Sequence, residues 1–556
     1  MGHHSPTHAG RREAGPEIPW PALGLMLYLL IAAGLAHILA PEALSPASTS
    51  FFVLLGAVGF WRYGWAAIHL GRAFLYLRVR FPALRAAADL GAGPPPPLFI
   101  LVTAYRQEPV LLVRMFRSVI AEARSSGAAT TIIAAVTDAA ERALLDGLVR
   151  RLDPPANLRL VLMEQDGSGK RSALAEGLRA IARRAPGPDA LLILMDGDTL
   201  LPVGCLRRIF PFFRCDLNLA AVTTDARAEM QGSAWARDWY RLRYVQRHLL
   251  MSSLSLSRRL LVLTGRFSVF RARLAIEPGF VAAVEADSLS HWRYGTVRFL
   301  TGDDKSTWYW LLRHDRAMLY LPDVQVVSVE EIPPGRFLDE SIDRMRRWYG
   351  NMLRNNGRAL ALGPRRMPPF LWWCLADQRV SMWTSLSGPV LALTAAAFGK
   401  VAALPAYLLW VMVSRLAYAA GLSLATGGFS MRWPMLLFYN QMVGAIVKVV
   451  TGYGLDRQEW SRQGVTAPAV TTGRIFWNSY LAVLAAGLFV YVGATASAGL
   501  QIPDRLVLAA VFGGAGAAAT PTIDGLQARP EDALAIERPL MIRRVGNTVS
   551  LCGGIQ

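Results

Sequence analysis

The sequence predicts a doubly wound, mostly parallel α/β domain inserted between transmembrane α-helices of a multi-pass membrane protein. Three observations predict it. Between Leu98 and about residue 332, short apolar runs alternate with amphipathic stretches, the rhythm of a parallel sheet covered by helices. On both sides lie apolar segments about as long as a bilayer is thick. The composition joins 53% hydrophobic residues to a net charge of +19. That is too apolar for a nucleic-acid binder, and it suits a membrane protein whose Lys and Arg gather on the cytoplasmic side. Cys205, Cys215, Cys374 and Cys552 are scattered, without the spacing of a zinc site or a disulfide framework.

In chain order, residues 1–19 are polar and read as a cytoplasmic tail, in which His3, His4 and His8 are incidental. Residues 20–80 hold two N-terminal spans. Trp20–Ala40 is an uncleaved helix rather than a signal peptide, and Phe51–Leu77 ends in Arg78 and Arg80. Arg-rich flanks on one side place the tail and the following domain in the cytoplasm. Gly91–Pro97, GAGPPPP, is a stiff linker. The α/β domain covers residues 97–332. Its strands are Leu98–Tyr105, Thr130–Asp138, Leu158–Met163 and the run ending at Asp196; its helices are Val110–Ala123, Glu141–Leu152 and Ser172–Arg184. Residues 336–378 form an interfacial amphipathic part, led by a basic helix over Leu338–Leu362. Residues 380–519 form a C-terminal transmembrane bundle with an interfacial segment. Its spans are Val380–Phe398, Leu404–Ala425 and Phe476–Ala496; Met435–Val450 is a shorter stretch, and Leu506–Ala519 is short for a crossing. Residues 520–556 read as a disordered tail, and the chain has no internal repeat.

Chemistry concentrates in six places. ALLILMDGDTLL, Ala190–Leu201, is a buried strand that stops at Asp196-Gly197-Asp198. Ligands gather where such strands end, and two carboxylates on a loose turn can share Mg²⁺ or Mn²⁺ while leaving positions for a diphosphate. A bare Asp-Gly-Asp can equally be a solvated turn; the strand before it and the motifs after it favour the metal. Asp138 ends the second strand, as a partner for a nucleotide base or ribose or as a helix N-cap. GSGKRS, Gly167–Ser172, lacks the Walker A spacing, which excludes an ATPase of that type, but Lys170 and Arg171 can pair with a diphosphate. LTGRFSVFR, Leu263–Arg271, offers a Gly turn followed by Arg266. TGDDK, Thr301–Lys305, sets Asp303 and Asp304 after an apolar pair, where one acid can take a proton from an acceptor hydroxyl. RMRRW, Arg344–Trp348, combines fixed cations for a leaving diphosphate with a ring that can stack on sugar; the same helix also suits a lipid surface.

In this order and spacing the motifs resemble the processive family 2 glycosyltransferases, the cellulose and hyaluronan synthases. WRYG (Trp61–Gly64), QRH (Gln246–His248), SLSHWRYG, RFLTGDDKSTWYWLL, RRWYGN, DQRVSMWTS (Asp377–Ser385) and FYNQMVGA (Phe438–Ala445) are most similar to the bacterial alginate-polymerising, mannuronan synthase type. The resemblance covers about Leu25–Gln463. It implies a GT-A (Rossmann-like) cytoplasmic domain in the bacterial inner membrane that extends β-1,4-mannuronan from GDP-mannuronic acid by inversion and exports the growing polymannuronate chain. It further implies that Asp138 contacts the nucleotide, Lys170 and Arg171 the diphosphate, and Asp196 and Asp198 the metal and donor sugar. Asp304 would be the base, with Asp303 and Asp198 beside it at the catalytic centre, Arg347 would hold the pyrophosphate, and Arg266 and Trp348 the acceptor. Arg344 departs from the Gln of related synthases. No receptor motif for cyclic-di-GMP is present, so a separate cyclic-di-GMP-binding co-polymerase subunit is expected as partner. The rival readings are a synthase of another polysaccharide, such as cellulose or hyaluronan, and a non-catalytic transporter with a nucleotide-sensing domain. DGD, GDD and RRW together argue against the transporter.

The membrane part adds a physical expectation. Arg62 and Arg415 lie inside apolar segments, where a cation costs at least about 2.5 kcal/mol unless it faces protein or water. A polymer with a carboxylate on every sugar would be repelled by a neutral apolar tunnel. Arg62, Trp65 and Arg415 are therefore expected to line the export path.

Overall fold

The computed structural model describes residues 20–39 and 49–457, less Ala92, Tyr105, Arg106, Asp138, Asp153, Asp166–Ser168, Phe299, Pro334, Phe398 and Lys400, and also Gly487. The tails, the expected span at Phe476–Ala496 and the segment Leu506–Ala519 lie outside the described residues, as does Asp138.

Helices α1 (Trp20–Leu39) and α2 (Thr49–Leu75) come first; α2 continues through a π-helical turn, Tyr76–Arg80, into α3 (Phe81–Leu90). The expected alternation follows as β1 (Leu98–Thr103), α4 (Pro109–Ser126), β2 (Thr130–Val136), α5 (Ala139–Leu152), β3 (Leu158–Glu164), α6 (Lys170–Ala182) and β4 (Leu191–Asp196). Strands β1, β2, β3 and β4 pair in parallel. Their residues alternate between two cores. Ile100, Val102, Ile132, Ala134, Ile193 and Met195 pack on one face, and Phe99, Leu101, Ile133, Leu192 and Leu194 on the other. Burial of both faces explains why these strands read as unbroken apolar runs.

Next come β5 (Thr199–Leu200), α7 (Cys205–Cys215), β6 (Leu219–Gln231), α8 (Ala234–Ser255), β7 (Phe267–Arg271), the single turn α9 (Ala272–Ala275) and α10 (Pro278–Glu285). Strands β8 (Ser288–His291) and β9 (Gly295–Arg298) form a separate hairpin, so the HWRYG stretch is its turn. Helix α11 (Asp303–Arg313) and β10 (Ala317–Glu331) complete the domain. The sheet order is β3-β2-β1-β4-β7-β6-β10-β5.

The mostly parallel expectation holds for six of the eight strands; the exceptions are β7, antiparallel between β4 and β6, and β5, antiparallel on β10. The cause is the route of the chain. Helix α8 carries it to the far end of the sheet, where the Tyr320 N–H donates to Ser255 Oγ at 3.0 Å. Residues 256–266 then bring it back, so β7 enters from the carboxyl end of β4, and its Phe267 pairs with Met195.

Beyond the domain run α12 (Phe337–Ala361), α13 (Pro369–Ala397), α14 (Ala403–Thr426) and α15 (Trp433–Gly452). Among the described residues, α13, α14 and α15 are long and apolar enough to cross a membrane. Two boundaries therefore move. Helix α13 runs unbroken across the expected border at residues 378–380, and the stretch read as Met435–Val450 is the span-length α15. Helix α15 packs on α12, α13 and α14, while α2 packs on α8. Polar contacts fix these helices to the domain. Tyr76 Oη donates to the Tyr320 carbonyl at 2.7 Å, Arg72 donates to the Ser253 carbonyl at 3.1 Å, and Trp239 Nε1 donates to Asn440 Oδ1 at 2.9 Å.

Candidate active site

A cavity of about 2010 Å³ opens at the carboxyl ends of β1 and β4 and extends over α8 and α12 to the end of α15. At its floor, Thr103 and Asp196 sit in register. The Gly197 N–H donates to the Thr103 carbonyl at 3.2 Å, and a Cβ on Gly197 would lie 3.1 Å from that of Ala104. The DGD turn is thus pinned against β1, which favours a glycine between its two acids. The Val329 N–H donates to the Asp198 carbonyl at 2.9 Å, tying the turn to β10 as well.

Lys170, the first residue of α6, closes the site. Its Nζ lies 2.7 Å from Asp196 Oδ1 and 3.0 Å from Asp303 Oδ2, joining the GK, DGD and GDD motifs in one cluster. Burial alone would lower the ammonium's pKa, but the two carboxylates outweigh it and raise it. Asp303 answers in kind, since burial pushes it up while Lys170 and Arg171 bring it below the usual range. Gly265 of the TGR turn comes so close that a Cβ there would be 3.2 Å from Asp196 Oδ2 and 3.5 Å from Lys170 Nζ.

Asp304 stands next to this pair in the first turn of α11, lining the cavity. Its Oδ1 accepts from the Lys305 N–H at 2.8 Å. Burial and the neighbouring Asp303 push it up to about 6, in the range of a carboxyl that can hold and release a proton near neutrality. Lys305, whose Nζ donates to the Leu261 carbonyl at 2.6 Å, is lowered to about 8 by its own burial.

Helix α12 forms the opposite wall. Trp348 stacks on Trp239 with ring centroids 5.8 Å apart, and Arg347 lines the cavity with no hydrogen bond or ion pair among the described residues. Arg344 donates to Glu330 Oε2 at 2.8 Å and to the Tyr240 hydroxyl. Asn351, three residues past Trp348, accepts from Thr301 Oγ1 at 2.7 Å, so α12 holds the loop that carries the GDD acids.

Three expectations change. Arg171 does not face the cavity. Its guanidinium donates to the carbonyls of Leu300 and Val284 and to Ser306 Oγ, so it braces the GDD loop from behind instead of meeting a diphosphate. Arg266 reaches the cavity wall, but its Nε donates to Ser328 Oγ at 3.0 Å and its Nη2 to Glu330 Oε1 at 2.9 Å. It thereby holds the floor, where an acceptor contact was expected. In the membrane part, Trp65 packs among His69, Phe370 and Trp373 at 5.0, 5.4 and 6.2 Å, knitting helices together instead of standing open to a path. Arg62 and Arg415 do turn toward protein. Arg62 pairs with Asp377 at 2.6 Å, and Arg415 meets Gln441 and lies 5.8 Å over the Tyr63 ring.

Asp138 lies outside the described residues; its neighbour Thr137 lines the cavity. Glu330 was not anticipated. Its only signal was an acid pair ending an apolar, alternating run before Pro333. Buried between Arg266, Arg344 and Tyr240, it is held below the usual range by those guanidiniums despite its burial.

Among the described residues no three His, Cys, Asp or Glu side chains form a ready-made metal cage. The donor set nevertheless fits a divalent ion shared with a diphosphate. Asp198 is pushed up to about 7 by burial and by the nearby carboxylates of Asp196 and Glu330, a concentration of negative charge that a cation relieves.

Comparison with known proteins follows the same lines. Residues 95–351 match the model described as glycosyltransferase like family 2. Over 444 residues the chain is 41% identical to glycosyltransferase alg8 of Pseudomonas syringae pv. tomato, covering 80% of this chain and 90% of that protein. It is 40% identical over 445 residues to glycosyltransferase alg8 of Azotobacter vinelandii, with the same coverage of each. The mannosyltransferase PcManGT of Pyrobaculum calidifontis, solved with GDP-Man and Mn²⁺, is 18% identical with a TM-score of 0.43, over 72% of this chain and 98% of that one.

Proposed function

The chain belongs to the family 2 glycosyltransferases, with a GT-A-like fold and alg8 proteins as relatives, and from that premise we propose that it polymerises mannuronic acid from GDP-mannuronic acid. The product is β-1,4-mannuronan, the precursor of alginate, made by inversion on the cytoplasmic side of a bacterial inner membrane and exported through the chain's own helices. In this reading α1 and α2 cross the bilayer together with α13, α14 and α15, and a cyclic-di-GMP-binding co-polymerase subunit is the partner.

The single observation that carries the reading is the junction at Lys170, which sets a cation between the DGD and GDD acids beside a proton-holding Asp304. Asp304 accepts the proton of the acceptor C4 hydroxyl as that oxygen attacks the donor C1 from the opposite face. Lys170 holds Asp196 and Asp303 in place and offers its charge to the diphosphate. Arg347 on the other wall, without a hydrogen-bond or ion-pair partner among the described residues, holds the departing GDP, and Trp348 gives the acceptor sugar a face to stack on. Mg²⁺ or Mn²⁺ held by Asp196 and Asp198 would stabilise the charge that grows on the diphosphate. Groups of these kinds contribute on the order of 10²–10³-fold each.

The direct test is incorporation of label into polymer by membranes containing the chain. GDP-mannuronic acid should be used, and GDP-mannose and UDP-glucose should not. Polymer from UDP-glucose alone would replace the reading with that of a neutral-glycan synthase.

A further inference from the structure

The QRH motif of α8 plays no part in the chemistry above, although one of its residues lines the same cavity. Its three residues diverge. Gln246 is hydrogen-bonded to Tyr418 of α14, and His248 Nδ1 lies 2.9 Å from the Tyr320 hydroxyl in a buried group with Asp225. Arg247 alone turns to the cavity. Its Nη2 donates to the Thr224 carbonyl at 3.1 Å, but Nε and Nη1 are buried with no partner among the described residues. Tyr244, one turn earlier, lines the same wall with its hydroxyl buried beside Ser328. Arg243 lies 4.3 Å over the Trp348 ring and has no carboxylate partner among the described residues.

Spacing of i, i+1 and i+4 sets Arg243, Tyr244 and Arg247 along one side of the helix. Charge counting then singles them out. Of the cavity's other basic groups, Lys170 is answered by Asp196 and Asp303, Arg266 and Arg344 by Glu330, Arg346 by Asp343 and Arg114 by Glu229, while Lys305 and Arg354 donate to the carbonyls of Leu261 and Leu455. Arg347 is answered by the diphosphate in the proposed reaction. Apart from Arg457 at the far end of the cavity, the two guanidiniums on α8 are left over among the described residues. A buried guanidinium with unmet N–H groups is costly unless an anion completes it, and a planar fork matches a carboxylate.

We propose that Arg247, with Tyr244 and Arg243, binds the sugar carboxylate of the uronic acid, and so selects a uronate over a neutral hexose. The inference rests on the functional reading above. Arg243 over Trp348 fits the same purpose, since one wall then offers a ring for the sugar and a cation for its acid group.

The test uses the full chain in lipid nanodiscs, comparing kcat/KM for GDP-mannuronic acid and GDP-mannose, which share nucleotide and ring configuration. Arg247→Gln should cut the preference for the uronate by about 10- to 100-fold, the range of one charged hydrogen-bonded contact. Arg247→Lys should restore part of it, and affinity for GDP should stay within about twofold, which shows that the fold and nucleotide site persist. An unchanged uronate preference in Arg247→Gln would overturn the proposal, as would an equal loss with both donors.

A second measurement separates this inference from the functional reading. Binding of an oligomannuronate and of an uncharged mannose oligomer is followed by tryptophan fluorescence, in the wild type and in Arg247→Gln. Should the wild type turn over another nucleotide sugar, the functional reading falls, and oligomer binding alone judges the subsite. Tighter binding of the charged oligomer, lost in Arg247→Gln, supports it; equal binding of both oligomers refutes it.

Discussion

Asp304 is the residue whose protonation should set the acid side of activity. Held up to about 6 by burial and by Asp303, it works as a base only when ionised. The rate kcat/KM should therefore fall about tenfold per pH unit below roughly 6 and level off above it. A pH–rate profile flat down to pH 4.5 would remove Asp304 from the base role. At this scale the motifs were legible singly, but their meeting was not. Asp196, Asp198, Asp303 and Asp304 could each be read from an apolar run that stops at acids. That one lysine bridges DGD to GDD depends on where α6 begins relative to β4 and α11, which no local pattern encodes. Neighbours Lys170 and Arg171 show the limit plainly. Successive helix residues point about 100° apart, so one meets the acids and the other braces the loop behind them.

Elements were legible where periodicity is strong. Strands β1 to β4 are buried on both faces, and the helices between them are amphipathic, so each could be placed to within a few residues. Antiparallel β7 escaped, because strand direction depends on the return of residues 256–266 and leaves no mark in FSVFR itself. The start of α13 escaped for another reason. Its first turns carry Asp377, Gln378 and Arg379, which hide the continuity of the helix from a hydropathy reading.

One element-level device went unnoticed. Buried Glu122 of α4 accepts from the N–H groups of Gly204 at 2.5 Å and Leu206 at 2.7 Å, capping α7 from a neighbouring helix. Glu122→Ala leaves two buried donors unmet and should destabilise the domain by about 2–5 kcal/mol; Glu122→Gln, which keeps the shape and one acceptor, should lose less. Thermal unfolding measures both, and an alanine variant as stable as the parent would show that the cap contributes nothing.

On the scale of the whole molecule, polar contacts inside the helix bundle stitch α2, α13, α14 and α15 together. Arg62 of α2 pairs with Asp377 of α13; Arg415 of α14 meets Gln441 of α15, which donates to the Ser385 carbonyl of α13 at 3.1 Å. The expectation that these arginines avoid lipid followed from charge alone; their partners did not, since they lie on distant helices. Arg62→Leu leaves Asp377 buried without its cation and should cost about 3–5 kcal/mol, whereas adding Asp377→Asn should recover most of that loss. Melting temperatures in detergent decide this, and a single variant as stable as the double would contradict it. With the double variant restoring the fold, secreted polymer yield from vesicles then reports whether the Arg62 charge also serves export.

The central claim is that sugar transfer takes place where Lys170 draws the DGD and GDD acids together, with Asp304 as base. It is tested most directly by Asp304→Asn in membranes supplied with GDP-mannuronic acid, measuring polymer formed and GDP bound. The amide keeps the shape of the side chain but cannot take the acceptor's proton, so polymer synthesis should fall at least about 100-fold, while GDP affinity stays within a few-fold. Synthesis above about a tenth of the parent rate would contradict the account, because losing a general base costs more than that.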